Sequence, residues 1–239
     1  MKSLLKVVVS VPLCVVVLVG LLSCQTLAIQ GEGHGSGGVT QVGDGGSTSI
    51  NLEQLQAALE QMPINFLSDS EREGILYVRE EEKLARDVYL ALYEKWELPI
   101  FQNIAASETT HMGAMKLLID HYELEDPALA EQGKFANEDL QGLYDQLVAQ
   151  GSQSLVEALK VGAAIEELDI VDIKGYLAQV DNDDIKLVYE NLLKGSRSHL
   201  RAFASTLERY GVTYTPQFLS QEEYEEIVGS PMETGTALP

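Results

Sequence analysis

From residue 68 onward, apolar side chains recur at intervals of three and four positions, which is the spacing of one face of an α-helix. No alternating strand of convincing length appears in the chain. Capping and turn residues divide this region into four long helices, a weaker helix between the second and the third, and a short last helix capped by Ser220. The predicted ranges are 68–96, 100–122, 137–150, 152 or 154 to 180, 184–210, and 220 onward.

Local sequence features set the ends of these helices. Ser68 and Glu71 form a capping box, which satisfies two backbone N–H groups at a helix start. Leu98 precedes Pro99, and the residue before a proline avoids helical geometry. Two helix pairs with short turns and one long connection predict an all-α four-helix bundle whose crossover contains a short helix. An ordinary up-down bundle is the alternative if the crossover is misread.

The N-terminal residues 1–24 are predicted to be a lipoprotein signal peptide. Two lysines precede an apolar run over residues 7–22, which has the length found in signal peptides. The run ends in Leu-Leu-Ser-Cys, which resembles the bacterial lipobox, so Cys24 is the expected site of lipidation. Acyl chains there would tether the protein to a membrane. An uncleaved transmembrane anchor is the alternative, and with either the folded part would face away from the cytoplasm, in the cell envelope.

The rest of the chain divides into three parts. Residues 25–50 are rich in glycine, serine and threonine and lack apolar periodicity, which predicts a flexible linker. Residues 51–230 hold the predicted helical domain, and residues 231–239 form a short tail. A glycine-rich run can also bind phosphate, but here no strand precedes it and no Gly-Lys-Ser/Thr follows, which disfavours a phosphate loop.

Charge and cysteine content narrow the chemistry. Acidic residues outnumber basic ones, 37 against 16, and the formal net charge is −21 at pH 7. This balance excludes a nucleic acid partner, because phosphate backbones are bound by clustered lysine and arginine. The two cysteines, Cys14 and Cys24, both lie in the predicted signal peptide. The domain therefore has neither a disulfide framework nor thiolates for zinc, and any metal must be held by oxygen and imidazole.

Each long helix carries ionisable side chains on its apolar stripe. In chain order these are Glu82, Glu108 with His111, Glu166 and His199. Unpaired, such groups would each cost several kcal/mol in a low-dielectric core, so they must be neutralised, paired or bound to a cation. The sequence therefore predicts that carboxylates and imidazoles meet inside the bundle.

Distance from the turn indicates which of these residues lie level in an antiparallel helix pair. Glu166 and His199 are equidistant from the turn at 181–184, and Glu82 and His111 are equidistant from a point close to the turn at 96–99. Both pairs should therefore meet. Glu108 is out of level with Glu82, and it is the weakest member of the predicted site.

The same residues carry a resemblance to known proteins. The motif Glu82-x-x-Ala-Arg-x-x-Tyr, the motif Glu108-x-x-His111, and the single residues Glu166 and His199 look like the pattern of the rubrerythrin and ferritin-like carboxylate-bridged metal bundles. More closely, residues 67–230 resemble a ferritin-like family of unknown function, with SETTHM at 107–112, IEELDI at 165–170 and HLRAF at 199–203. The resemblance implies a two-metal centre, usually di-iron. Its ligands would be Glu82, Glu108 and His111 in one half and Glu166 and His199 in the other.

One departure from the ferritin-like pattern concerns charge. The full pattern repeats Glu-x-x-His on the last helix, whereas this chain has Ser196 three residues before His199. Three carboxylates against two divalent ions leave a net charge of +1, which is unfavourable in a buried site unless a small anion or a fourth acid balances it. Glu81 and Asp169 are the nearest candidates for that acid. A single-metal site, which needs fewer ligands, stays open.

Three neighbouring residues are predicted to lie outside the ligand set. Glu167 is off the apolar stripe and should face solvent. His121 lies at a helix end, and Tyr89 is expected to pack in the core.

Oxygen and imidazole ligands without thiolate suit iron or manganese, although zinc and copper also bind such sites. For two irons the resemblance implies reaction with O2 or peroxide, and the chain has no Cys-x-x-Cys pair to deliver electrons. The main hypothesis is a lipid-anchored, extracytoplasmic di-iron oxidoreductase. Its expected partners are a membrane and Fe(II) or a small-molecule oxidant, with a homodimer as a further candidate. The alternatives are a non-enzymatic metal-binding or structural lipoprotein, and a plain helical interaction module.

Overall fold

The computed structural model of the protein describes residues 39–233. The predicted signal peptide with Cys24, residues 25–38 of the predicted linker and residues 234–239 of the predicted tail lie outside this range. Among residues 39–233, no helix combines the length and the apolar character needed to cross a membrane.

Helices dominate the described residues and confirm the predicted all-α bundle. They are α1 (Leu52–Leu59), α2 (Asp69–Trp96), α3 (Pro99–His121), α4 (Glu138–Gly151), α5 (Leu155–Leu177), α6 (Asp183–Arg209) and α7 (Gln221–Gly229). Two short strands, β1 (Thr40–Val42) and β2 (Thr48–Ile50), precede them. The four long predicted helices correspond to α2, α3, α5 and α6, and the weaker one to α4.

The four long helices form two packed pairs, α2 with α3 and α5 with α6, and the pairs meet through α2 with α5 and α3 with α6. Apolar stripes from all four elements fill the interior. Fully buried side chains there include Leu92, Met115, Ile170 and Phe203. Burying such side chains contributes about 1.5–3 kcal/mol each, which gives the helix pairs their reason to associate.

The structure shows the contacts and backbone geometry that set the start of α2 and the junction between α2 and α3. The Ser68 hydroxyl accepts from the Glu71 N–H at 3.2 Å, and the Glu71 carboxylate accepts from the Ser68 N–H at 3.0 Å. This is the capping box. Glu97 ends α2 in the left-handed region with a φ of 50°, and Pro99 is the first residue of α3, where its missing N–H costs nothing.

The connection from α3 to α5 crosses the bundle and carries α4, which packs on α2 and α5. Two buried polar residues of α2 hold it. The Glu80 carboxylate accepts from the Ala136 N–H at 2.7 Å, and Lys83 Nζ donates to the Glu131 carbonyl at 2.9 Å. The long crossover of the predicted bundle is therefore fixed in place by side chains of the first long helix.

Residues 39–50 differ from the predicted linker because they form a hairpin that packs against α3 and α6. β1 and β2 pair antiparallel, and Gly45 and Gly46 turn the chain between them with φ values of 66° and 84°. The buried residues of the hairpin are Val39, Thr40, Gly46, Thr48 and Ile50. Its strands have three residues each, too few to show the alternation that predicts a strand. The predicted linker boundary at residue 50 is therefore wrong, and the folded domain includes residue 39.

Candidate metal centre

The structure brings the five predicted ligands together in the middle of the bundle. They form two groups in which the candidate ligand atoms all lie within 4.8 Å of one another. The first group contains Glu82, Glu108 and His111, and the second contains Glu108, Glu166 and His199. At most 1% of any of these side chains is exposed. The four long helices thus all contribute, and Glu108 belongs to both groups.

Glu108 lies at the centre of the cluster. Its Oε2 is 2.7 Å from His111 Nδ1, and its Oε1 is 2.9 Å from His199 Nδ1. Glu82 Oε2 lies 3.2 Å from His111 Nδ1, and Glu166 Oε2 lies 3.3 Å from His199 Nδ1. Each Nδ1 therefore faces two carboxylates, one of them shared. The expectation that Glu108 would be the weakest member is wrong, because its long side chain reaches both imidazoles.

Burial and the two imidazoles shift the pKa values of the carboxylates in opposite directions. Burial raises the pKa of Glu82 to about 8, although the neighbouring His111 opposes it. Burial also acts on Glu108, but the attraction of His199 and His111 outweighs it and holds the pKa of Glu108 below its usual range. The shared carboxylate is therefore the most firmly ionised acid of the cluster.

The imidazoles show the complementary effect. Burial favours a neutral ring, but Glu108 and Glu166 outweigh burial and raise the pKa of His199 to about 9. At His111 burial also favours the neutral ring, but Glu108 and Glu82 outweigh burial and raise the pKa of His111 well above its usual value. Without a metal ion the rings thus hold protons between the carboxylates, and a metal ion would have to displace them from Nδ1.

A strand residue that the sequence pattern missed contacts the far side of both rings. Thr48 Oγ1 is 2.9 Å from His199 Nε2 and 3.4 Å from His111 Nε2. The Thr48 N–H donates to Ser107 Oγ at 2.8 Å. Residues of the predicted linker therefore complete the surroundings of the site, and no feature of their local sequence indicated this.

Glycine and serine on α6 leave room for the rings. A Cβ at Gly195 would overlap the His111 imidazole, so only glycine fits there without a shift. Ser196, which replaces the second glutamate of the ferritin-like pattern, is buried and donates to the Leu192 carbonyl at 3.2 Å. The serine is occupied within its own helix, and α6 offers the cluster no carboxylate.

Tyr89 packs in the core, as predicted, but its hydroxyl also reaches the cluster. The ring lies 5.5 Å from that of Phe203, measured between centroids. The hydroxyl donates to Glu166 Oε1 at 2.5 Å. Burial and the neighbouring Glu166 raise the pKa of Tyr89 well above its usual value, so the phenol keeps its proton.

Asp169 and Glu81, the two candidates for a fourth acid, are both buried. Neither belongs to the two ligand groups. Burial, followed by repulsion from Glu81 and Glu82, raises the pKa of Asp169 well above its usual value. Both Asp169 carboxyl oxygens are buried without a hydrogen bond to any residue within 39–233. Asp169 is therefore the neighbouring acid whose lone pairs are least satisfied.

Other buried acids are satisfied by the protein itself. Glu167 is fully buried, and the prediction that it faces solvent is wrong. Its carboxylate accepts from the Tyr214 hydroxyl at 2.6 Å and from backbone N–H groups of the loop before α7, at residues 217–219. His121 belongs to neither ligand group, and its Nε2 lies 3.4 Å from Asp184 Oδ2. Glu167 therefore fixes the loop before α7 to α5.

The donor set suits a divalent cation. Within residues 39–233, Glu82 Oε1 and Glu108 Oε1 are buried and make no hydrogen bond, and the 2.9 Å contact of Glu108 Oε1 with His199 lacks hydrogen-bond geometry. Leaving such oxygens unpaired is costly in an apolar interior. Carboxylate oxygens with imidazole nitrogens are ligands of divalent transition metals. The buried groups could hold a metal ion, and Glu108 could contact an ion in each group.

Comparisons with known proteins extend these observations. Residues 71–231 match a family described as an uncharacterized protein domain, DUF2202. The chain is 53% identical over 178 residues to the uncharacterized protein MJ0754 of Methanocaldococcus jannaschii, which covers 74% of this chain and 96% of the relative. The crystal structure of the hypothetical protein MJ0754 from Methanococcus jannaschii matches with a TM-score of 0.71 at 54% identity, over 72% of this chain and 99% of that one. The helical domain is thus shared with a solved structure, and these descriptions state no activity.

Proposed function

We propose a metal-dependent function for this chain, which belongs to the family of the uncharacterized protein domain DUF2202. In this proposal two divalent metal ions bind at the centre of the bundle, one in each ligand group. The observation that carries the proposal is the position of Glu108, whose two carboxylate oxygens lie 2.7 and 2.9 Å from the Nδ1 atoms of two different histidines. A carboxylate placed in this way can bridge two ions, as in ferritin-like di-metal bundles.

The ions that we propose are iron. Glu82, Glu108 and Glu166 supply oxygen and the two histidines supply nitrogen, a set without thiolate that suits iron or manganese. When bound, two irons would supply the redox chemistry for an oxidoreductase acting on Fe(II), O2 or peroxide. Asp169, buried with two unsatisfied oxygens, is the acid that we propose to balance the remaining positive charge.

The protein's own groups would keep the site dry and hold protons beside it. The five ligands are at most 1% exposed, so bulk water is excluded from them. Tyr89 holds a proton on its phenolic oxygen, 2.5 Å from Glu166 Oε1. In the metal-free protein Asp169, whose pKa burial and the neighbouring carboxylates raise, holds another on its carboxyl group, and it would release that proton to balance the charge of bound metal. Protons are thus stored next to the ligands in a region that water does not reach.

We also propose that the protein acts outside the cytoplasm, tethered to a membrane through Cys24. The apolar run at residues 7–22, the lipobox-like sequence after it and the glycine-rich residues that follow support this. Both cysteines lie in the first 24 residues, so the domain offers no thiol pair for electron delivery. A separate reductant would therefore be needed for repeated turnover, unless oxidation of Fe(II) is itself the activity.

Metal content and reactivity with air test the proposal. The purified full chain, loaded anaerobically with Fe(II) and separated from free metal, should retain about two irons and develop ferric absorption when exposed to air. Retention of a single iron would favour the one-metal alternative. Iron content no higher than that of a Glu108→Gln variant would overturn the proposal.

A second candidate is a non-enzymatic metal site that ties the four long helices together. The observation that favours it is the near-complete burial of all five ligands, which come from four different helices. Tightly held iron that stays unchanged in air would support this candidate over the oxidoreductase.

A further inference from the structure

We propose that Thr48 is a positioning residue for the metal centre and that its single hydroxyl orients both imidazoles. The inference rests on the proposed metal function, because it concerns which nitrogen of each ring is offered to a metal ion. It adds a residue of β2 to a site whose ligands all lie on the long helices.

The Thr48 hydroxyl lies between the outer edges of two stacked rings. Thr48 Oγ1 is 2.9 Å from His199 Nε2 and 3.4 Å from His111 Nε2. The ring centroids are 5.4 Å apart and the ring planes differ by 22°. The two Nε2 atoms therefore converge on one oxygen, while the two Nδ1 atoms face the carboxylates.

The chemistry of a hydroxyl matches this position. Its oxygen has two lone pairs and can accept two N–H bonds. A histidine that binds a metal through Nδ1 keeps its proton on Nε2, and a group behind the ring normally accepts that proton and fixes the ring's orientation. Thr48 is placed to be this group for both His111 and His199. One side chain thereby selects Nδ1 as the metal-binding nitrogen in both halves of the centre.

The hairpin and α3 hold the hydroxyl in place. Thr48 is 5% exposed and pairs with Val42 across the hairpin. Its N–H donates to Ser107 Oγ at 2.8 Å, and the Ser107 hydroxyl donates to the Asn103 carbonyl at 3.1 Å. Because Ser107 directly precedes Glu108, the same turn of α3 positions the bridging carboxylate and the strand that orients the rings. The absence of a side chain at Gly195 provides the space for this contact, because a Cβ there would lie 3.4 Å from Thr48 Oγ1 and would overlap His111.

Three variants of the full chain test the inference with Co(II) as the probe. Thr48→Val keeps the shape of the side chain and removes the hydroxyl, and Thr48→Ser restores the hydroxyl. Thr40→Val is the matched control. Thr40 lies in the partner strand of the same hairpin, is 2% exposed, and donates to Asn191 Oδ1 at 2.6 Å. Removing its hydroxyl should weaken the hairpin without touching either imidazole.

Two measurements are made on each protein. Titration followed by the visible absorption of bound Co(II) gives the affinity. Proton NMR of the Co(II) form shows the ring N–H protons as shifted signals that disappear in D2O. We expect Thr48→Val to bind Co(II) roughly 10- to 100-fold more weakly and to exchange both N–H protons faster. Thr48→Ser should recover both properties, and Thr40→Val should resemble the wild type.

Several results would overturn the inference. Thr48→Val with wild-type affinity and wild-type N–H signals would do so, and so would an equal loss in Thr40→Val. If Thr48→Val does not fold, the wild type still tests the inference. Nitrogen-15 labelling of its histidines must then show a protonated Nε2 and a metal-bound Nδ1 in the Co(II) form, and any other result overturns the inference. A wild type that binds no Co(II) and no Fe(II) refutes the proposed metal function as well, whereas normal binding without dependence on Thr48 refutes only this inference.

Discussion

Two adjacent glutamates of α5 show how differently this bundle treats buried acids. Glu166 and Glu167 are both fully buried. Glu167 accepts from the Tyr214 hydroxyl and from the Gln217, Phe218 and Leu219 N–H groups at 2.6–2.9 Å. Glu166 instead faces His199 and the Tyr89 hydroxyl, and its pKa is raised by burial and then by the repulsion of Glu108 against the attraction of His199. One acid is enclosed by backbone N–H and phenol donors, and the other shares the His199 imidazole with Glu108.

Burial of a carboxylate is therefore not by itself a sign of metal binding. α2 repeats the contrast, since Glu80 accepts from the backbone of the crossover while Glu82, two residues later, keeps Oε1 without a hydrogen bond in the described chain. An acid that accepts several N–H bonds is already compensated. The acids of the candidate centre instead face other carboxylates and imidazole Nδ1 atoms, so their compensation depends on ring protons that a metal ion can replace.

The largest expected effect is the loss of metal when the shared carboxylate is neutralised. Glu108→Gln keeps the side-chain volume but removes the charge that lies between both imidazoles, so we expect the affinity for Fe(II) to fall by more than about 100-fold, beyond the loss typical of a residue behind a ligand. Glu167→Gln is the matched control, equally buried and equally isosteric. It should retain its iron, as measured by metal analysis after gel filtration.

The control has an effect of its own. Glu167→Gln replaces a charged acceptor of three backbone N–H bonds, so its free energy of unfolding should fall by about 1–3 kcal/mol, measured by urea denaturation of the metal-free chain. If Glu167→Gln lost iron as Glu108→Gln does, the distinction between the two classes of buried acid would be wrong.

Removing the metal should destabilise the wild type by an amount that depends on the free metal concentration. A ligand present at about 100 times its dissociation constant stabilises the folded state by about 2.7 kcal/mol. We therefore expect the melting temperature to drop by several degrees when a chelator strips the protein, and to recover on adding Fe(II) without oxygen. The melting temperature of Glu167→Gln should be lower before chelation and should drop by the same amount. The melting temperature of Glu108→Gln should not change on chelation.

Two glycines allow the space around His111 to be tested. A Cβ at Gly195 would overlap the His111 ring, whereas a Cβ at Gly175 of α5 meets nothing within 4 Å. Gly195→Ala should cost about 1–3 kcal/mol of stability through overpacking and displace the ring from its metal. Gly175→Ala should be neutral or stabilise the helix by up to about 1 kcal/mol and bind metal normally. Equal metal binding by the two variants would show that the ring position is not critical.

Sequence pattern alone located the helices and most of the cluster, because both follow from helical geometry. The equal distances of Glu166 and His199 from their turn predicted a contact that the structure shows at 3.3 Å. The expectation for Glu108 is wrong because a comparison of backbone levels ignores the reach of a long side chain. The prediction that Glu167 faces solvent is wrong because its partners lie far along the chain, in a loop at residues 214–219, and nothing in the sequence near Glu167 indicates them.

Thr48 could not be found in this way, for a different reason. It lies in a strand of three residues within a glycine-rich stretch, where no periodicity exists to read. The hairpin that contains this strand is held by tertiary bonds, such as the one from Thr40 of β1 to Asn191 on α6. Local propensity therefore decides the helices, whereas long-range contacts decide the hairpin and the surroundings of the imidazoles.

The last expected effect is a pH dependence of the metal-free protein. Burial opposes it, but Glu108 and Glu166 raise the pKa of His199 from 6.5 to about 9 on folding, so the protonated ring stabilises the folded state fully below pH 6.5 and loses this contribution as the pH rises through 9. Glu82, whose pKa burial raises to about 8, acts in the same direction. Urea denaturation of the chelated chain should therefore give a free energy of unfolding that is lower at pH 9 than at pH 6.5.

The metal-loaded protein and variants of the two buried glutamates should differ from one another in this pH dependence. Metal ions would replace the ring protons, so the loaded wild type should lose no stability over the same range. Chelated Glu167→Gln should keep the pH dependence, because its acid is compensated by N–H donors that do not titrate. Chelated Glu108→Gln should lose most of it, because the charge that holds the protons on both rings is gone. A flat profile for the chelated wild type would mean that the imidazoles do not hold the protons that a metal ion is expected to replace.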